Sequence, residues 1–328
     1  MENIIEVNNL TKNFEVNSGI INTIFGKKTQ YVHAVDKVSF SIKKGEVLGL
    51  AGESGSGKST IGRLLLKLHD KTCGTIKYKE TDISEMAFKD LQKLREKIQM
   101  VFQDPVASLN PRMSVGEVIT DPLIVHNKYD KKKRKHKVIE LMEKVGLSPA
   151  KTLFDKYPHQ LSGGQSQRVV LSRALITEPD FIVADEPIAA ADVSIRAMLL
   201  ELMKKMKREF DLTYLFITHD LATAKYLCDR IAILYLGRIV EIGSNKDVFE
   251  NPKHPYTKAL LEAVPVPDPK YRRNEPLPKG EIPDAINPPT GCYYHPRCPF
   301  AMDICRNANP KFKEVNKGHK VACFLNDK

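Results

Sequence analysis

Apolar residues along this chain cluster in short runs that alternate with stretches spaced three and four apart. The run "EVLGLAG" (46–52) is continuous and closed by glycine, as in a strand buried on both faces. Before it, "IIEVNNLTKNF" (4–14) and "VHAVDKVSFSI" (32–42) alternate as half-buried strands do, and residues 17–31 between them read as an inserted loop. After it, "KSTIGRLLLKL" (58–68) has helical spacing. The pattern stays mostly helical from Asp104 to about Gln160, with turns at "NPRMS", "GLSP" and "KYPHQ". Helix (Gln165–Leu175), strand ("FIVAD"), helix (Ser194–Phe210), strand ("TYLFITH"), helix ("LATAKYLC") and strand ("RIAILYLG") then alternate, and "GRIVEIGS" reads as a final short strand. Alternation on this scale predicts an α/β fold with a parallel sheet and helices on both faces.

The pattern then breaks. Ten of the 20 prolines fall between Pro252 and Pro289, which predicts an extended arm without regular elements over most of that stretch. The expected organisation is one domain over residues 1–250, with a helical part at about 104–165, followed by an arm and a cysteine-rich extension over 251–328.

At 328 residues, 42% hydrophobic and 28% charged, the composition is that of a globular chain. "MENIIEVNNL" has no basic and apolar leader, and no apolar run reaches the roughly eighteen residues that cross a bilayer. The expectation is a cytosolic chain, in which structural disulfides are disfavoured. The net charge of +11 points to an anionic partner. The densest basic run, Lys131 to Lys137, continues into the helical pattern "VIELMEKVGL" and interleaves no aromatics, so it reads as a solvated helix face and not as a nucleic-acid surface.

Two motifs carry chemistry. "GESGSGKST" has Gly52, Gly57, Lys58 and Ser59 at the spacing of a P-loop, between a strand and a helix. Such a loop curls backbone N–H groups around phosphates, sends its lysine to the β- and γ-phosphates and gives its hydroxyl to magnesium. "FIVADE" supplies a buried strand that ends in Asp185, a magnesium ligand, followed by Glu186, which can orient or deprotonate an attacking water.

A third motif identifies a family. "LSGGQSQRVVLSRAL" resembles the signature sequence of ATP-binding cassette (ABC) ATPases. Bare glycines and a hydroxyl at a helix start make an anion site, but one with no lysine of its own. The resemblance implies the P-loop NTPase (RecA-like) fold of an ABC nucleotide-binding domain, with an antiparallel β subdomain and a helical subdomain. It implies ATP and Mg2+ as cofactors. Contacts to ATP would come from Gly52, Ser54, Gly55, Gly57, Lys58, Ser59 and Thr60, with Phe14 (or Tyr31) stacking on the base. Ser59, Gln103 and Asp185 would serve magnesium, and Glu186, His219 and Gln103 hydrolysis. Ser162, Gly163, Gly164, Gln165 and Asp192 would reach ATP held by a partner subunit. Two positions depart from the family pattern: Ala191 stands where leucine is common, and Ser166 where arginine often follows the signature.

"SLNPRMSVGEVI", "HQLSGGQSQR" and "NPKHPYTKALLEAVPVPDP" look like the dipeptide/oligopeptide importer branch, nearest to the second of its two ATPase subunits. That resemblance implies a peripheral subunit on the cytoplasmic face of the membrane. Its partners would be a paralogous ATPase, two transmembrane permease subunits and an extracytoplasmic peptide-binding protein. The rival reading, a soluble ABC ATPase acting on nucleic acid or ribosomes, usually involves tandem cassettes or a coiled-coil insertion, and this chain has one P-loop and neither.

The tail "GCYYHPRCPFAMDIC" opens a Cys-x5-Cys-x6-Cys-x17-Cys series: Cys292, Cys298, Cys305 and Cys323. Four thiols in a proline-broken segment suggest metal binding. Zinc favours cysteine pairs two to four residues apart, and none is present. A [4Fe–4S] cluster is also held by four thiolates, and it is what the importer branch implies. Zinc, or His295 as a substitute ligand, stays as the alternative.

Overall fold

The computed structural model describes residues 2–16, 29–105, 107–189, 192–264 and 280–327. Most of the inserted loop, much of the proline-rich arm and Ala191 lie outside them.

Strands β1 (Asn3–Glu15), β2 (Tyr31–Lys43) and β3 (Val47–Ala51) lead into helix α1 (Lys58–Leu65). Strands β4 (Cys73–Tyr78) and β5 (Thr81–Asp82), helix α2 (Phe88–Leu94) and strand β6 (Ile98–Val101) follow. Helices α3 (Val115–Val125), α4 (Lys131–Lys144), α5 (Ala150–Phe154) and α6 (Gly163–Leu175) come next. Then β7 (Phe181–Asp185), α7 (Val193–Phe210), β8 (Thr213–Thr218), α8 (Leu221–Leu227), β9 (Arg230–Tyr235) and β10 (Arg238–Ser244) alternate. Helices α9 (Asn245–Glu250), α10 (Pro255–Glu262) and α11 (Asp303–Asn307) precede β11 (Lys313–Asn316) and β12 (His319–Val321).

The chain divides into two compact units. One holds Lys43–Glu46 and Glu85–Phe216 with the first residues. In it β6 and β7 run parallel, Ile98 beside Phe181 through Val101 beside Ala184. All five residues of β7 are buried, as its unbroken apolar run requires. Helix α3 starts on a reciprocal cap between Ser114 and Glu117, which satisfies two backbone donors. It packs on α4, α5 and α6, and the ring of Phe154 lies so close to Gly116 that a Cβ there would meet it at 2.4 Å.

The other unit holds Ile5–Ile42, Val47–Ser84 and Ile217–Lys328. It carries an antiparallel-paired sheet in the order β2-β1-β4-β5 and the strand series β11-β12-β10-β9-β3. Here β3 and β9 are parallel, while β10 turns back antiparallel on β9. The sequence expectation that β10 is the last strand is corrected: β12 pairs with it, Glu241 opposite Val321, and β11 pairs with β12. Strands of three and four residues are too short to show a period. The proline-rich stretch also contains a helix, α10, because Pro255 occupies its first turn, where a missing N–H costs nothing.

Candidate functional site

The P-loop belongs to the second unit. β3 delivers the chain to Gly52, and the loop ends at Gly57, whose backbone is left-handed (φ 101°). A Cβ at Gly57 would stand 2.1 Å from the Ala34 carbonyl oxygen, so no other residue fits. Gly57 offers the start of α1 no side-chain cap, which leaves that end suited to an anion. Lys58 is buried, and its Nζ folds onto the loop, donating to the carbonyls of Gly52 (2.9 Å) and Glu53 (2.8 Å). Ser54 and Gly55 are exposed at the rim, and Ser59 and Thr60 form the first turn of α1.

Phe14, near the end of β1, is half-buried, edge-on to His69 at 5.5 Å between centroids, with the Lys12 ammonium 4.8 Å from its ring. Tyr31 is 45% exposed at the start of β2. His219 is exposed just beyond β8, and Asp220 next to it caps α8 by accepting from the amides of Ala222 and Thr223.

The first unit holds the other predicted residues. Asp185 ends β7 and is buried. Glu186 follows in a left-handed conformation (φ 46°), a strained state for a non-glycine residue that turns its side chain off the strand. Gln103 Nε2 donates to Glu186 Oε2 at 3.1 Å, so two groups distant in sequence meet. At the signature, Ser162 accepts from the Gln165 amide and Gln165 Oε1 accepts from the Ser162 amide. The Ser162 hydroxyl accepts in this cap, which leaves its proton available to donate to an anion. Gly163 and Gly164 form the first turn of α6, and Ser166 is buried within that helix. Asp192 caps α7 by accepting from the Ile195 amide at 2.9 Å, a structural duty the motif pattern does not reveal.

The four tail cysteines line one small cavity, together with His254 and His295. The Cys292 amide donates to the Cys305 carbonyl at 2.8 Å, and the His295 amide to the Cys292 carbonyl at 3.0 Å. Burial pushes the Cys292 thiol up to about 11 and Cys323 up to about 12, and neighbouring thiols add to both shifts. Burial raises Cys298 as well. Among the described residues, no three His, Cys, Asp or Glu side chains converge closely enough to hold a single metal ion.

Sequence reasoning missed the contacts that tie the tail to the P-loop. Glu53 donates its amide to Tyr256 Oη at 2.9 Å, and its carboxylate receives both arms of the Arg297 guanidinium at 2.8 and 3.1 Å. It also missed the buried Glu241, which accepts from the amides of Lys253 and His254 and pairs with His319 at 2.7 Å. Burial drives His254 down to about 4, so it is neutral at pH 7 and accepts the Tyr256 amide on Nδ1. No spacing signals either set.

Comparison with known proteins places this geometry. The family described as "ABC transporter" matches residues 35–189, and "Oligopeptide/dipeptide transporter, C-terminal region" matches 240–305. The oligopeptide transport ATP-binding protein AppF of Bacillus subtilis is 47% identical over 99% of this chain and 98% of its own length. The dipeptide transport ATP-binding protein DppF of Haemophilus influenzae is 44% identical over 96% of this chain and 94% of its own. Among solved structures, the dimeric ATP-binding cassette MJ0796 bound to ADP and Pi is 29% identical, with a TM-score of 0.64, and covers 74% of this chain and 98% of its own. CbiO1 of Clostridium perfringens gives 29% and 0.65, over 76% and 92%.

Proposed function

The chain belongs to the ABC transporter family, and from that premise we infer that it is the ATP-hydrolysing subunit that powers import of oligopeptides or dipeptides. One observation carries the reading: relatives named for peptide transport match it over nearly its whole length, C-terminal region included. That coverage favours the importer over the nucleic-acid reading.

The residues take roles that their local chemistry supports. Lys58 neutralises phosphate charge, and the P-loop amides and the start of α1 cradle it. Ser59 and Asp185 serve Mg2+, and Glu186, held by Gln103, orients the attacking water. Phe14, half-buried with its ring held by His69, suits base stacking better than the exposed Tyr31. His219 acts beside the γ-phosphate. Ser162 to Gln165 form an anion site without a lysine, which serves ATP bound to a second ATPase subunit, as in a head-to-tail dimer. Family membership implies dimerisation and membrane permease partners; a paralogous ATPase, two permeases and an extracytoplasmic binding protein are the composition inferred. No helix among the described residues is long and apolar enough to cross a membrane.

The tail reading is finer. Cys292, Cys298, Cys305 and Cys323 share one cavity, and four thiols are the donor set of a [4Fe–4S] cluster. Zinc, which takes four donors at about 2.0–2.3 Å, stays the alternative. The cluster would cross-link the tail and needs no part in hydrolysis. Loading would also release the thiol protons that burial retains.

ATP turnover by the chain alone, and with the second ATPase and membrane subunits, tests the central reading. Turnover should rise steeply on assembly. Glu186→Gln should keep MgATP binding and cut turnover by about 100-fold or more, while Lys58→Ala should lose binding. Strong, concentration-independent turnover by the isolated chain would overturn it.

A further inference from the structure

Glu53 puts a carboxylate inside a phosphate-binding loop. Its carboxylate sits one position after Gly52, in a loop whose amides and lysine exist to attract polyanions. A negative charge there repels the phosphates unless something neutralises it. The structure supplies the neutraliser from 244 residues away: Arg297 holds Glu53 through two parallel N–H···O bonds, the strongest geometry open to such a pair.

The surroundings fix this clamp. Arg297 is 8% exposed, and its guanidinium carbon lies 5.9 and 6.0 Å from the ring centroids of Tyr235 and Tyr294. Those two rings and Tyr256 pack as a trio with centroids 4.7 to 5.3 Å apart. Tyr256 in turn takes the Glu53 amide on its hydroxyl, and the Glu53 carbonyl takes Lys58 Nζ. Glu53 is thus held at amide, carbonyl and carboxylate. Arg297 itself precedes Cys298, and its amide donates to the Tyr294 carbonyl inside the cysteine segment.

We propose that Arg297 is a positioning residue for nucleotide binding: it neutralises Glu53 and draws it aside, so the cysteine-rich tail forms part of the P-loop's phosphate site. The inference rests on the reading of Gly52–Thr60 as an ATP site. Removing the guanidinium leaves an uncompensated carboxylate against the phosphates, whereas removing both charges restores neutrality.

Equilibrium affinities of the full-length chain for MgATP, ADP and AMP test this, with melting curves recorded in parallel. Wild type must bind ATP and Lys58→Ala must lose it; failure of these controls strikes the ATP-site reading itself. Arg297→Met should weaken ATP and ADP about tenfold and AMP little, because the P-loop grips the outer phosphates. Adding Glu53→Gln to that variant should restore ATP to within about threefold of wild type. Glu53→Gln alone removes the repelling charge, keeps a polar partner for Arg297 and should bind ATP more tightly than wild type; it decides the matter even if Arg297→Met fails to fold. An Arg297→Met chain that binds ATP within twofold of wild type would overturn the proposal. So would a double variant as weak as the single, an equal loss for AMP, or a Glu53→Gln chain that binds ATP no tighter than wild type.

Discussion

Glu241 lies on β10 with no exposed surface, and its charge survives there because of its neighbours. Burial pushes its carboxyl up, but hydrogen bonds from His319 and the amides of Lys253 and His254 outweigh this and hold it below the ordinary carboxylate range. A depressed folded value means that the pair stabilises the fold above the unfolded pKa, near 4.5, and that this contribution is lost as pH falls through the folded value. Glu241→Gln should therefore cost about 2 kcal/mol at pH 7. The gap in melting temperature between variant and wild type should shrink as pH falls below about 4.5. A gap that widened in acid would refute the assignment. The sequence showed only a glutamate in a strand, because its partner His319 lies 78 positions away and no period connects them. Glu53 and Arg297 were hidden for the same reason. By contrast, the strand, loop and helix around Lys58 and the buried strand that ends in Asp185 were legible, since the motifs there bind residues at fixed short spacing.

At the level of elements, the start of α6 separates folding from function. A Cβ at Gly163 meets nothing within 4 Å, whereas one at Gly164 comes within 3.3 Å of Ile195. Gly163 is also in the helical first turn, where alanine is the better helix former by up to about 1 kcal/mol. Gly163→Ala should leave the melting temperature unchanged or raised. If the signature serves ATP as proposed, ATP turnover of this variant in the assembled complex should fall by about tenfold or more, because its methyl group would stand in the phosphate's way. Unchanged turnover in the complex would remove Gly163 from the phosphate site. The long elements were legible because their runs show a clear period: α7 spans 18 residues and β7 is apolar throughout. The errors fell on short pieces. Helix α10 was lost among prolines although Pro255 sits where a helix tolerates it, and β12 is only three residues long.

For the molecule as a whole, the tail poses the question of what holds a segment with so little core. Residues 280–327 contain one five-residue helix, two short strands and a final single turn; β12 pairs with β10, and the Ala285 carbonyl accepts from His33 on β2. Few of their apolar side chains are buried, chiefly Tyr294, Cys305 and Val321. Segments of this kind depend on cross-links or metals, and reducing compartments disfavour disulfides. The six cysteines of the chain are unbridged, and the four of the tail line one cavity. Anaerobic purification should therefore give brown protein with about four irons per chain. Cys305→Ser should lose most of that iron and bring an early unfolding step, visible as protease cleavage confined to the tail. Colourless protein with stoichiometric zinc would decide for zinc. Protein with neither metal whose tail resists proteolysis would mean that β12, the tyrosine trio and the Arg297–Glu53 pair suffice.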